Sequence, residues 1–436
     1  MARQMKDSGI EWIGEIPAEW AVSRVKYVSD FEPGCNGDGL TDKSVITYTP
    51  MDCIKNGWFI NNTATRGSVS SSLTAYQNGD IVMAKVTPCF ENGNIAIMEN
   101  LASGYGLGSS ELFVFRPVDI DTRYFFYWLR NPMFVQLACS TMTGTGGLKR
   151  VSPYFAKNCY IHQPPLAEQH RIAAFLDRKC AEIDAVIERT KATIEEYKQL
   201  KQAVITEAVT KGVRGARKMK NSGIEWIGEI PEEWNISSIK YGVTKVGSGK
   251  TPLGGAESYA DEGILFLRSQ NVYDTGLVLD SPTYITDEVD AEMSNTRVQP
   301  GDVLLNITGA SIGRCCVFPA ECQRANVNQH VCIIRVIRDT FMPEFMHYYW
   351  VSALGHTVID LYQTGGNREG MSADAIKNAP IIYMSLEEQA EISMYLDEKC
   401  AALDTLIAKK TALLTELETY KKSLIYEYVT GKKEVL

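Results

Sequence analysis

The sequence predicts a mixed α/β (α+β) molecule: two globular domains joined by two long antiparallel helices that pair as an intramolecular coiled coil, with an internal pseudo-twofold repeat. Three observations carry this. MKDSGIEWIGEIPAEWAVSRVKY at 5–27 recurs as MKNSGIEWIGEIPEEWNISSIKY at 219–241, with 17 of 23 positions identical at an offset of 214. Residues 166–209 and 386–429 contain no Pro or Gly and align without a gap at an offset of 220. Between opening and rod, each half carries short apolar runs of strand length followed by a helical pattern. The divisions expected are a globular domain over 1–165, a helix over 166–212, a second domain over 213–385 and a second helix over 386–436.

In chain order, SVITYTPM, DIVMAKV, NIAIM and ELFVF read as strands of the first domain, and TRYFFYWLRNPMFVQLACS over 122–140 reads as a helix bent at Pro132. Tyr124, Phe125, Phe126, Tyr127 and Trp128 belong to its core. In the first rod the apolar positions Ile172, Leu176, Ile183, Ile187, Ile194, Tyr197 and Val204 recur mostly at three- and four-residue steps or their sum. The second domain repeats the plan with ILFLRSQNV over 264–272, DVLLNI, CCVF and HVCIIRVI as strands and a helix over 343–362. The second rod repeats the stripe at Ile392, Leu396, Leu403, Leu406, Leu413, Leu417 and Leu424. A helix of this length reaches roughly 65 Å at 1.5 Å per residue. One apolar stripe on so long a rod needs a cover, and the other copy is the simplest. Prolines just upstream (Pro164, Pro165, Pro380) and glycines just downstream (Gly212, Gly431) mark the ends. The repeated Trp12, Trp20, Trp226 and Trp234 are assigned to packing against the rods, because identical surfaces do not suit two different readouts.

Composition narrows the function. The 436 residues carry a net charge of -9, so bulk electrostatic binding of nucleic acid is disfavoured and any anion-binding surface must be local. No apolar run approaches the ~18 residues of a membrane span, and MARQMKDS holds no apolar signal core. Eleven cysteines without C-x-x-C spacing, including adjacent Cys315 and Cys316, suit buried thiols in a reducing cytoplasm. Five histidines with no ligand-like spacing argue against a metal.

Catalytic motifs fail one by one. GSGKT at 247–251 has Thr244 where a phosphate loop needs its first Gly. QPPL at 163–166 has Gln and Leu where an amino-methyltransferase motif has Asn or Asp and an aromatic. GASIG at 309–313 is followed by RCCVF, a strand rather than the helix of a nucleophile elbow. The expectation is a non-catalytic chain with no cofactor. What remains are two Gly-rich polar loops in equivalent places, TGTGGLKRVS at 143–152 and QTGGNREGMS at 363–372. Lys149, Arg150 and Arg368 suit phosphates or guanine edges and Asn367 suits adenine. Lys85, Lys250, Arg268, Gln270 and Asn271 are further candidates, all at strand ends or turns.

Taken together, the MKxSGIEWIGEIPxxW opening, a variable domain, the PPLAEQHRIAAFLDRK or SLEEQAEISMYLDEK rod entry and the VTKG or VTGK exit, each stated twice, resemble the specificity subunit of type I restriction-modification systems. The resemblance covers residues 5–433, with Met384-Ser385 in place of the first copy's Pro-Pro as its main departure. It implies a non-enzymatic reader of double-stranded DNA in which two target-recognition domains each bind half of a bipartite, asymmetric site. The helices would set the gap between half-sites. Two methyltransferase subunits and two translocating nuclease subunits would assemble around the chain, with no membrane involved. A competing reading is a scaffold whose coiled coil holds two protein-binding domains without DNA readout.

Overall fold

A computed structural model describes residues 3–70, 72–322, 324–362 and 370–435. The chain packs as two compact units, one formed by 1–191 with 412–436 and the other by 192–411. Each rod is one uninterrupted helix, Leu166–Lys211 and Leu386–Val429. Each begins in one unit and ends in the other.

Unit 1 opens with the hairpin Met5–Asp7 against Glu15–Pro17, and Ala21–Arg24 then pairs antiparallel with Tyr160–Gln163, the strand that leads into the first rod. Its core sheet is antiparallel, in the order Ser29–Phe31, Leu112–Pro117, Ile81–Ala84, Ile95–Ile97. A second four-stranded sheet contains one parallel pair, Val45–Thr49 with Tyr105–Gly108. Unit 2 repeats the core-sheet topology although its residues differ, and its second sheet has five strands. Its antiparallel sheet runs Val243–Ser248, Val331–Val336, Val303–Asn306, Cys315–Val317. Its second sheet again carries one parallel pair, Ile264–Leu267 with Ala325–Val327.

One ion pair is common to both core sheets. Asp80, fully buried, takes the Arg116 fork at 2.8 and 2.9 Å and the Gln77 amide at 2.9 Å. Asp302 takes the Arg335 fork at 2.7 Å on both oxygens and the Gln299 amide at 2.7 Å. A buried carboxylate survives only when its oxygens are satisfied, and here the turn before the strand and the neighbouring strand both do so. Gly79 and Gly301 make those turns possible, with φ of 89° and 85°.

The rods pack antiparallel within each unit. In unit 1 Ile172, Leu176, Ile183 and Ile187 of the first share a core with Leu424, Ile425 and Val429 of the second. In unit 2 Ile205, Ala208 and Val209 share one with Ile392, Leu396 and Cys400. The same two repeat positions add an ion pair each time, Lys421–Asp184 at 2.6 Å and Lys201–Asp404 at 2.7 Å.

The opening repeat is welded to the start of a rod. Trp20, 1% exposed, donates its indole N–H to Glu168 at 2.9 Å, and Arg3 donates to both oxygens of the same carboxylate at 2.7 and 2.9 Å. In unit 2 Trp234 donates to Glu388 at 2.7 Å, and Arg217 completes the clamp. The guanidinium lies over the indole at 5.3 Å in one and 4.7 Å in the other. The carboxylate also sits in the first turn of a helix, where the macrodipole favours negative charge. The next residue holds the domain. Gln169 accepts from the Asp121 amide at 2.8 Å and Gln389 from the Met342 amide at 2.9 Å, each at the start of a domain helix. Trp12 and Trp226 are half-buried against their unit's core.

Three expectations need correction. The helix over 122–140 is two helices, Thr122–Leu129 and Pro132–Ser140, because buried Asn131 caps the second and bonds back to the Trp128 carbonyl. The helix over 343–362 also breaks, into Pro343–Val351 and Ala353–Tyr362, where extended Ser352 donates its hydroxyl to Tyr349 O at 2.6 Å. The strand over 264–272 stops at Leu267, and Ser269–Asn271 forms a 3-10 turn. The aromatic run 124–128 is buried, as its pattern suggested.

Two outcomes are expected. Glu388→Ala strands the largely buried Arg217 and Trp234 N–H, and should cost roughly 3 kcal/mol in a urea titration. His162, enclosed by Trp12, Trp20 and Trp128, is held down to about 4 from 6.5 by burial and then by the Lys432 charge. The unfolded imidazole therefore takes its proton first as pH falls, so stability present above pH 6.5 is lost on the way down to 4, by about 3 kcal/mol at full displacement. His162→Phe should flatten that part of the pH–stability curve, and an unchanged curve would exclude the assignment.

Candidate nucleic-acid interface

In unit 1 the Gly-rich loop is a small hairpin fixed on the end of the core sheet. Thr143 and Arg150 exchange backbone bonds at 3.0 and 2.9 Å, and Gly146 and Gly147 turn the chain with φ of 64° and 82°. The loop docks on the segment after Ile81–Ala84. Thr87 donates its amide to Lys149 O at 2.9 Å and its hydroxyl to Gly147 O at 2.7 Å, and Lys85 O accepts from the Val151 amide at 2.9 Å. Gly144 lies against the Leu148 carbonyl so closely that no Cβ would fit.

This framework brings Lys85, Lys149 and Arg150 together. Lys149 points outward, exposed. Arg150 is 47% exposed and makes a two-pronged pair with Glu111 at 2.8 and 2.6 Å, which holds that carboxyl below its usual range. Lys85 lies over the Phe113 ring at 5.4 Å.

In unit 2 the corresponding loop joins the fold through Gly370, which bridges Thr308, and through the Met371 amide on Ile307 O at 3.0 Å. Asn367 and Arg368 lie outside the described residues. Around Thr308 other segments converge. Its hydroxyl meets His330 Nδ1 at 2.5 Å, the other ring nitrogen meets Gln329 at 3.1 Å, and Gln329 accepts from the Thr251 hydroxyl. Lys250, exposed, is held by its amide on Val327 O at 3.2 Å. The end of Ile264–Leu267 lies alongside, since Leu267 O accepts from the Asn328 amide at 3.0 Å. There Arg268 packs over Tyr259 at 5.9 Å, with its Nε buried and unpartnered among the described residues, and Gln270 is exposed.

Asn271 departs from its expected role. It is 5% exposed, accepts from the Arg268 amide at 3.0 Å and donates to Val278 O at 2.9 Å, so its amide is committed to the turn that presents Arg268 and Gln270. The sequence reading missed Thr251, Thr308, Gln329 and His330. The polar run NVNQH before an apolar strand was the signal for Gln329 and His330, nothing local marked Thr251 or Thr308, and only the fold brings His330 to Thr308, on which Gly370 docks.

The other motifs have structural places. Ser311 lies in a 3-10 turn between antiparallel strands, Val303–Asn306 and Cys315–Val317, with no strand-to-helix elbow. The GSGKT run ends the strand Val243–Ser248, where Gly249 packs against the Val327 carbonyl. Among the described residues no group of three His, Cys, Asp or Glu is placed to hold a metal, and no helix is long and apolar enough to cross a membrane.

Comparison with known proteins bears on this arrangement. The family model described as type I restriction modification DNA specificity domain matches the chain twice, over residues 17–196 and 231–418. Over 196 residues the chain is 31% identical to the EcoAI and 29% identical to the EcoEI type I restriction enzyme specificity subunits of Escherichia coli. Each match covers 44% of this chain and spans about a third (33%) of the relative's length. The MjaVIII specificity subunit of Methanocaldococcus jannaschii is 22% identical over 411 residues, covering 91% of this chain and 88% of that one. The fold is similar to that of a chain from a structural study of complex assembly and conformational transition in the type I R-M system, with a TM-score of 0.74, 18% identity and coverage of 96% and 99%. It is also similar to the HsdS subunit from Thermoanaerobacter tengcongensis, with a TM-score of 0.51, 18% identity and coverage of 96% and 98%.

Asn271→Ala leaves the Arg268 amide and the Val278 carbonyl without partners, and should lower the stability of the chain by about 2 kcal/mol in a urea titration.

Proposed function

The chain belongs to the type I restriction modification DNA specificity family, and from that premise we propose that it is the sequence-specific DNA-binding subunit of a type I restriction-modification enzyme. Each unit reads one half of a bipartite, asymmetric site. The continuous rods set the number of unspecified bases between the halves and, with the repeated openings, dock two methyltransferase subunits. Two translocating nuclease subunits complete the assembly in the cytoplasm. The chain itself contributes recognition and no catalysis.

The observation that carries this reading is a constant frame with unlike loops. Both units share the core-sheet topology, the buried Asp–Arg pair and the Trp–Glu–Arg clamp. Where the frame ends, one presents Lys85, Lys149 and Arg150 and the other Lys250, Arg268, Gln270, Thr308 and the Gln329–His330 turn. In DNA reading, contacts to phosphates position a protein while contacts to base edges specify the sequence. Arg150, its guanidinium plane held by Glu111, is suited to a base edge, and the exposed Lys149 and Lys250 to phosphates. Asn367 and Arg368 join the unit 2 set, and Asn271 supports Arg268 and Gln270 from beneath. The acidic balance of the chain is compatible with this because the methyltransferase subunits supply part of the phosphate contact.

The test is domain exchange. Replacing residues 28–160 with the corresponding segment of a relative, assembling the chain with its methyltransferase subunits and mapping the methylated adenines should show one half-site changed, with the other and the gap retained. Change in both half-sites would overturn the modular reading.

A further inference from the structure

An exposed cation–aromatic corner recurs in both units. It is Lys26 with Tyr27 in unit 1 and Lys240 with Tyr241 in unit 2, the last two positions of the repeated opening. Each ammonium lies over the neighbouring ring, 5.0 Å from the centroid in one and 5.2 Å in the other. The tyrosines are 68% and 69% exposed, so burial in the fold does not account for their recurrence.

A second repeated pair, from far along the chain, meets each corner. Val25–Val28 packs against the short helix Pro153–Asn158, and the turn Ile239–Tyr241 against Ala373–Asn378. In unit 2 Lys240 donates directly to Asn378 Oδ1 at 3.2 Å. Between 143–165 and 363–385 the halves agree at few positions, among them Ser152, Lys157, Asn158 and Ile161 with their equivalents 220 residues on. Most of these have a structural reason. Ser152 and Ser372 cap the short helices, Asn158 and Asn378 bond back to carbonyls at 2.9 Å, and Ile161 and Ile381 are buried. Lys157 and Lys377 stand in the last turns of their short helices, where the macrodipole gives a cation only a small, solvent-screened advantage, and Lys377 meets the exposed Asp374 at 3.4 Å. Among the described residues Lys26, Lys157 and Lys240 enter no ion pair, in a chain whose net charge is -9.

We propose that these corners, Lys26–Tyr27 with Lys157 and Lys240–Tyr241 with Lys377, are sequence-independent phosphate anchors for duplex DNA, one beside each variable loop. A surface repeated in both units must meet the same thing twice; the methyltransferase and the phosphate backbone of the two half-sites both qualify, and the charge of the corners selects the backbone. Uncompensated cations select a polyanion, and the tyrosine hydroxyl adds a donor of the kind that meets phosphate oxygens. In unit 1 Arg24, bonded to the Tyr160 hydroxyl at 2.8 Å, adds charge beside the corner. The short helices start at Ser152 and Ser372, where the Gly-rich loops end, so an anchor lies about six residues, or roughly 9 Å of helix, from a recognition loop. The inference rests on the DNA-reading function proposed above.

The test uses the full chain assembled with its methyltransferase partner, a duplex carrying the methylated site and an unrelated duplex. Lys26→Gln combined with Lys240→Gln should weaken binding to both duplexes by the same factor. It should reduce the slope of log K against log salt by about 2, at ~0.9 per phosphate contact, and leave the methylated sequence unchanged. Lys157→Gln alone should reduce the slope by about 1. Lys157 and Lys240 are exposed and Lys26 is half-buried with no ion pair among the described residues to lose, so an unchanged melting temperature is expected and separates loss of an anchor from misfolding. Unchanged slopes would overturn the proposal, as would loss of the methyltransferase at an unchanged slope, which would make the corners a protein-docking surface. If the unsubstituted complex fails to prefer its own site, the specificity reading fails instead, while the anchors would still register as a salt slope on the unrelated duplex.

Discussion

A carboxylate buried in the first turn of each rod is the constraint on which the rest depends. Glu168 and Glu388 are 6% and 4% exposed, and an unpaired charge at that depth would be costly. Each is satisfied by an indole N–H from the repeated opening and a guanidinium two residues ahead of it, so the opening cannot leave its rod without stranding a charge. The glutamine that follows fastens the start of a domain helix, Thr122–Leu129 or Pro343–Val351, to the same turn. Two adjacent side chains therefore join opening, domain and rod within each unit. That accounts for a repeat which survives nearly unchanged while the segments between its parts do not.

From this junction the architecture divides into what must be constant and what is free to vary. The buried Asp–Arg pairs hold the turn and two strands of each core sheet in one arrangement, and hydrophobic residues of different identity fill the space around them. Loops at the sheet ends carry no such obligation. Lys85–Val86 and Ile307–Thr308 serve as equivalent docking points for the Gly-rich loops, Val86 bridging Arg150 as Thr308 bridges Gly370, yet the side chains displayed around them have little in common. A frame of this kind suits a protein whose partners are the same on both sides and whose targets are not.

Much of this was legible in the residues. Rods, most strands and the buried aromatic run followed from periodicity, because apolar spacing reports which face is covered whatever covers it. The break at Ser352 was not legible. A serine bonding back to Tyr349 O ends a helix without the proline that marks such breaks, and the neighbouring apolar pattern continues through it. Asn271 was visible as a polar residue at a strand end, but whether its amide faces solvent or its own turn depends on Val278, brought near by the chain reversal. Arg3 and Arg217 stand at the repeat offset just outside the compared stretch, and nothing in a lone arginine announces that it will cross a tryptophan to reach a helix start.

The sequence by itself determined the duplication, the two rods with their apolar stripes, the family resemblance and the regions where the halves differ. These are one-dimensional properties, written in spacing and identity. The tertiary structure decided which polar side chains are spent inside and which are offered outward. It turned Asn271 inward, tied Arg150 to Glu111, gathered Thr251, Thr308, Gln329 and His330 from separate segments, and left the Lys–Tyr corners uncovered. The physical reason is that a polar group's role depends on its partner, and the chain path alone places that partner, whether a few residues away across a turn, as for Asn271, or tens of residues away, as for Arg150 and Thr251.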